Sequence, residues 1–534
     1  MERMTMMTAM VTMMVTMMVT MMMVDVAAGE WARNASNTQI AVSETSLEQI
    51  VPQSVLFPDG TIGTTWFELD APTGKYHVRA QATTEEGDVA PYSQAGGVLI
   101  SSRKQGPTLW GYESMVDSEG ALVVVFSDRR AHEHDNDGDD VDVDVEEEEG
   151  GEKLEYEDVI AFRMTEGFEA RPWGVSGMAV SKNDDFEPAP RVVERVGGGG
   201  GKGIEYMVVW PHLQRESPEK TCIRGQRMSV DGVGMWGHGG KCLAWSGEGE
   251  EAGLVSVVAG GDGDSFVLAF VKDVQKHGNH SLLAAAFDWE SGEALWRTDV
   301  YTSSQVQLGY YPELVQGPGV DKISVAWCAS TASNTFVTQL QVLDAASGSG
   351  LYPQGGVPVS GDGSISYLAP SLDVDHASQI VYVAYQTLTH SQKLRGIAVS
   401  GFNVSEAGGG APLSGGVWSP VGWRLVELGD EYVANPIGVV DGEGEGDVGY
   451  YVSFLSGLGT NHQILYRLDH VARVMESKVG WNITVSDVAS MKTRTSLVVV
   501  GGGGVVMTWS DLRSDDGWEV WGAGVGRDGM LGGL

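Results

Sequence analysis

Two kinds of side chain in this sequence could do chemistry together. Carboxylates recur at Asp184, Asp185, Asp430 and Glu431. Tyrosines recur at Tyr310, Tyr311, Tyr367 and Tyr432, with cations at Arg103, Lys104 and Arg494. Rings stack on sugar faces and carboxylates bind hydroxyls, so this mixture suits a carbohydrate. Glycoside chemistry uses the same types and needs two carboxylates at a defined separation. On that reading Asp184, Asp185, Asp430 and Glu431 are the catalytic candidates, and Arg103, Tyr310, Tyr311, Tyr367, Tyr432 and Arg494 bind the ligand. The competing reading is structural: strand connections are polar anyway, and tyrosines pack rims. Residues this far apart can meet only if a larger architecture gathers them.

That architecture is a repeat. Its clearest copy is Glu205–Ser246, with an apolar run ending at Trp210, a second alternating run through Ile223 and Gln226, and a turn at Asp231-Gly232 leading to Trp236-Gly237. Such runs joined by turn residues read as antiparallel strands. The last aromatic of the first run recurs as Trp66, Phe126, Trp210, Phe270, Trp327, Tyr385, Phe454 and Trp509. Pro52, Pro107, Pro190, Pro312, Pro370 and Pro436 open copies. A short strand precedes several of them, as in Val98–Ser101 and Met178–Ser181. One copy cannot bury both faces, so copies must pack on one another. Four strands per copy, repeated radially, make a β-propeller. The expectation is all-β: one propeller over 29–534 with eight four-stranded antiparallel blades, seven being the alternative. The last copy lacks its fourth strand, so Thr38–Ser43 is expected to complete it and close the ring. The connections carrying the candidate residues above would then surround a central channel.

The pattern W-x-D-x-R, seen at Trp509–Arg513, and Q-x5-G-x3-W-G, seen at Gln226–Gly237, resembles repeats of secreted propeller proteins, many of them bacterial. The resemblance covers nearly everything after residue 30 and implies a propeller and secretion. A more distant likeness to sialidases lacks support in the motif, because Ser229–Trp236 misses a glycine of the sialidase box.

The formal net charge of −38 argues against nucleic acid, whose phosphates attract Lys and Arg. Residues 1–28 read as a secretory signal or signal anchor, with an uncharged stretch from Met4 to Met23. Sequons at Asn34, Asn279, Asn403 and Asn482 are glycan acceptors if the chain is secreted. Cys222 and Cys242 lie equally far from Gly232, which suggests opposed positions and a disulfide; Cys328 is left over. The insertion at 131–155 is a block of like charge and reads as a disordered acidic tip. Asp135, Asp137 and Asp139 within it are the candidates for weakly held Ca²⁺. No other cofactor signature is present. His132, His134, His212, His277, His280, His390 and His462 fall at strand tips and read as exposed polar residues. The expectation is a secreted or cell-surface monomer that binds an extracellular glycan or protein without catalysis. The alternatives are a polysaccharide hydrolase or lyase at the channel mouth, and a structural wall component.

Overall fold

The computed structural model describes residues 48–532 except 71–74, 94–95, 102–110, 129–157, 169, 182–184, 196–202, 215–220, 238, 246–249, 275–278, 303–311, 331–334, 361–364, 390, 392, 405–422, 430–431, 442–447, 458–460, 469–478 and 515–516. The fold is all-β, with helix limited among the described residues to the short 3-10 turns Glu166–Phe168 and Gly501–Gly503. All eight repeated aromatics lie on the second strand of their copy and are buried. The acidic insertion falls between the second and third strands of copy two, outside the described residues.

Counted as hydrogen-bonded sheets, the ring has seven blades, the alternative of the sequence reading. Six are four-stranded with strands in chain order, and the seventh has six strands. Copies seven and eight share that sheet because Val479–Val499 is one continuous strand. Up to Ser490 it pairs with Asn461–Leu468, and from Met491 onward with Val505–Ser514. The junction Ser490–Thr495 has no Gly or Pro to turn the chain, so an outer strand runs straight into the next inner one.

The core lies between neighbouring blades. Val123 and Val125 of copy two pack with Tyr206 and Trp210 of copy three. Met207 and Val209 of copy three pack with Phe266 and Phe270 of copy four. Each sheet thus buries both faces, which explains why the second strands are almost continuously apolar. The ring closes where copy eight meets copy one. The Ser54 N–H donates to Ser496 Oγ at 3.0 Å, and the Val51 N–H donates to Ser510 Oγ at 3.0 Å. Thr38–Ser43, expected to complete the last blade, lies outside the described residues.

The prolines mark a bulge in the inner strand. Val51, Ala189, Ala369 and Asn435 have φ between 47° and 57°, and each directly precedes Pro52, Pro190, Pro370 or Pro436. Leu254 and Arg494 hold the same conformation in copies four and eight. A bulged residue leaves the ladder, so proline's missing N–H costs nothing there.

The repeated Gln and Trp form the outer rim. Gln226 Nε2 donates to the Gly237 carbonyl at 2.6 Å, and its Oε1 accepts from the Trp236 N–H at 3.0 Å. Gln341 clasps Tyr352 in the same way. Each indole then reaches the following copy. Trp173 donates to the Val230 carbonyl at 2.8 Å, Trp236 to Glu290 at 2.9 Å, and Trp296 to Ala345 at 2.8 Å. The motif therefore bolts blade to blade. Gly239 and Gly240 have φ of 77° and 69°, and Gly240 packs against Trp210, where a Cβ would lie 2.3 Å from the Gly225 carbonyl oxygen.

Candidate functional site

A register common to all eight copies defines a ring at the channel. Gln53, Glu113, Arg191, Ser256, Glu313, Ser371, Ile437 and Ser496 each pair with the residue just before the repeated aromatic. Several bridge to the next inner strand by accepting its N–H. Gln53 Oε1 accepts from Ser114 at 2.9 Å, Glu113 Oε2 from Val192 at 2.7 Å, Ser371 Oγ from Gly438 at 3.0 Å, and Ser496 Oγ from Ser54 at 3.0 Å. Ser256 instead donates to the Pro312 carbonyl at 2.6 Å. These contacts stitch the inner edges together.

Three ring positions are charged: Glu113 in copy two, Arg191 in copy three and Glu313 in copy five. All three side chains are half-buried. Glu313 makes no hydrogen bond or ion pair within contact distance among the described residues. Its charge is nevertheless coupled to both Arg191 and Glu113. Glu113 and Glu313 hold the same register position in copies two and five, on inner strands that are not adjacent in the ring. Burial pushes the Glu313 carboxyl up to about 7; Arg191 opposes that rise and Glu113 adds to it. Burial also raises Glu113, against the pull of Arg191 and of the Val192 N–H. Both carboxyl groups hold protons more tightly than usual, and the charge of Arg191 opposes the rise in each. The arrangement can accept hydrogen bonds, donate one from a protonated carboxyl, or transfer a proton near neutral pH.

The residues expected from sequence fare differently. Arg103, Lys104, Asp184, Tyr310, Tyr311, Asp430 and Glu431 lie outside the described residues, as do Asp135, Asp137 and Asp139. Asp185 sits 3.4 Å from His212 Nε2, and Glu187 Oε1 lies 2.9 Å from His212 Nδ1. His212 is fully buried, which corrects its reading as an exposed tip. It anchors the 185–187 segment, whose Phe186 also pairs with Leu213. Asp185 is thereby a fastening of the loop that leads to Arg191. Tyr367 belongs to the core, stacked edge-on against Tyr385 at 5.5 Å with its hydroxyl 2.9 Å from Ser360 Oγ. Tyr432 is half-buried beneath the Arg395 guanidinium, 4.3 Å from its ring centre. Arg494 is exposed at the bulge two residues before Ser496.

The cysteines are thiols. Cys222 lies opposite Trp245 and Cys242 opposite Arg224, because a bulge shifts the register between them. Symmetry about Gly232 therefore gives diagonal rather than opposed positions. The two side chains still meet, and a hydrogen bond with Cys222, then burial, raises the Cys242 thiol. Of the sequons, Asn482 is exposed, Asn403 is half-buried, Asn279 begins a third strand, and Asn34 lies outside the described residues.

A cavity of about 600 Å³ lies at the rim between copies two and three, lined by Trp173, Met178 and Gly232–Gly234. It is walled by the bolting motif rather than by charged groups. No group of three His, Cys, Asp or Glu among the described residues is arranged to hold a metal ion. No described helix is long and apolar enough to cross a membrane.

No protein-family model matches the chain, and no curated protein matches it. Solved structures do. The β-propeller domain of the Trilobed protease from Pyrococcus furiosus aligns at 9% identity and TM-score 0.38, over 77% of this chain and 91% of that one. A protein from Dyadobacter fermentans, titled as of unknown function, aligns at 12% identity and TM-score 0.37, over 81% and 97%. An α-L-arabinofuranosidase from Fusarium graminearum aligns at 10% identity and TM-score 0.34, over 93% and 99%. At such scores the likenesses carry no functional argument; the propeller is read from the strand topology.

The ring position lies on the inner strand just past the bulge, whereas the charged and aromatic residues conspicuous in the sequence lie in the connections. The available signal was Pro190-Arg191 and Pro312-Glu313, charged residues straight after the proline, where Pro370 is followed by Ser371.

Proposed function

We propose that this protein is a secreted or cell-surface propeller that binds a glycan at the mouth of its channel. One observation supports the reading: at the ring position where Glu113, Ser371 and Ser496 accept an N–H from the next inner strand, Glu313 makes no such bond among the described residues. A half-buried carboxyl group without that bond suits a ligand rich in hydroxyl groups. The uncharged N-terminal stretch and the exposed sequon at Asn482 support an extracellular setting. The direct test is titration calorimetry of the full chain against neutral, acidic and amino-bearing oligosaccharides. Binding to at least one, weakened at least tenfold by Glu113→Gln or Glu313→Gln, is the expected result. Failure to bind any, or binding indifferent to both changes, would remove the reading.

A second reading, hydrolysis, is favoured by one feature: two carboxyl groups with raised proton affinity face a single channel. Release of reducing ends, abolished by either Gln variant, would establish it.

A further inference from the structure

We infer that Cys222 and Cys242 exchange with a small-molecule disulfide and close to a disulfide of their own, which staples the outermost strand of copy three. Neither step depends on glycan binding. Thr221–Ser229 and Lys241–Trp245 are adjacent antiparallel strands, and the second is the edge of its sheet. Ile223 lies opposite Ala244 and Arg224 opposite Cys242, so Leu243 is the extra residue of a bulge. A Cβ on Gly225 would lie 2.6 Å from Leu243 Cδ1, which puts Leu243 on the face of Gly225 and Ile223. By strand alternation Cys222 and Arg224 share the other face, and Cys242 joins them there. On that face the two thiols sit diagonally, within hydrogen-bond contact. Diagonal partners in a regular ladder have Cα atoms about 7–8 Å apart, slightly beyond what a disulfide spans. Closure therefore takes a small shift of Lys241–Trp245, which is paired on one side only.

Cys222 is fully buried and Cys242 half-buried, so Cys242 meets the reagent. The Cys242 thiolate attacks one sulfur of the small disulfide, forms a mixed disulfide and releases one small thiolate. The Cys222 thiolate then attacks the Cys242 sulfur and releases the second. The two protein thiols lose two electrons and two protons, and the two small thiols gain them. Arg224 stands opposite Cys242. Its Nη1 donates to the Gly239 carbonyl at 3.2 Å, while its Nε is buried without a hydrogen-bond partner among the described residues. A hydrogen bond with Cys222 and burial raise the Cys242 thiol, and the Arg224 charge lowers it. The first exchange is therefore slow at neutral pH and speeds up as pH rises. Cys328 supplies an internal control, because it is buried in another copy against the Tyr367 carbonyl.

The experiment incubates the full chain, fully reduced beforehand, with oxidised glutathione at neutral and at mildly alkaline pH. Intact mass, thiol count after denaturation and hydrogen exchange are followed. The expected product is lighter by two hydrogens, carries a peptide link between Cys222 and Cys242, and keeps Cys328 as its one thiol. It should form faster at the higher pH and revert with dithiothreitol. Cys222→Ser should hold glutathione on Cys242 without closing, and Cys242→Ser should stay unmodified. Backbone hydrogen exchange over Lys241–Trp245 should slow at least about tenfold in the disulfide form. Melting curves show whether each variant is folded; if either is not, the parent's mass and thiol count decide. A parent that keeps three thiols, or that stops at a glutathione adduct on Cys242, overturns the disulfide. Equal exchange in the two forms overturns the staple.

Discussion

The outer rim and the channel mouth are built from the same repeat but obey different rules. At the rim, successive copies use the same residue for the same contact: Trp173, Trp236 and Trp296 each donate to a carbonyl of the next blade. Gln226 and Gln341 each clasp their own turn with both amide atoms. At the mouth, equivalent positions hold Gln53, Glu113, Arg191, Ser256, Glu313, Ser371, Ile437 and Ser496, and their contacts differ. Repetition of one contact by one residue type marks structure. Departure from the repeat, as at Glu113, Arg191 and Glu313, is the ground for the proposed site.

Substitutions can break that contrast. Trp210→Ala, which empties a fully buried position between blades, should cost about 3–5 kcal/mol in denaturant unfolding. Any folded Trp210→Ala protein should keep its ligand affinity; loss of both together would mean blade packing and mouth are not separable.

Glu313→Gln tests the opposite end. The folded carboxyl titrates near 7 against 4.5 when unfolded, so the folded state holds more protons between those values. Parent stability should fall as pH rises through that window and stay low above it. The Gln variant should match the parent below pH 4.5 and exceed it above pH 7, by at most about 3 kcal/mol. Urea midpoints across pH measure this; a variant less stable than the parent at pH 8 would contradict the unpaired carboxylate.

Gln226→Ala leaves the Trp236 N–H and the Gly237 carbonyl without their clasp, at a cost of about 1–3 kcal/mol. The same substitution at Gln341 should cost a similar amount, and a large disparity would deny the equivalence of copies. The smallest effect belongs to Asp264→Asn. Asp264 is the exposed partner of a buried Arg195 that Glu205 and Glu290 also hold, so thermal unfolding should show a loss of under about 1 kcal/mol.

Much of the fold was legible in the chain. The series from Trp66 to Trp509 located every second strand, and the prolines located bulges of the inner strand. These signals are local: strand alternation, turn residues and one aromatic per copy act within a few residues of one another. The blade count was less legible, because the merger of copies seven and eight depends on a junction without turn residues, Ser490–Thr495, rather than on the repeat length. The cysteines were placed on adjacent strands, but a single bulge turned opposition into a diagonal. His212 shows the limit of tip reading, since its burial depends on Asp185 and Glu187 arriving from the preceding connection.

The sequence alone determined an all-β repeat, its strand order and a strongly acidic balance of charge. Those follow from periodicity and composition, which need no knowledge of where distant copies lie. Only the tertiary structure decided that Glu113, Arg191 and Glu313 hold one register position on inner strands of separate copies. That depends on the bulges that set each inner strand against its neighbour and on the ring that brings the strands together, where burial raises the proton affinity of both carboxyl groups.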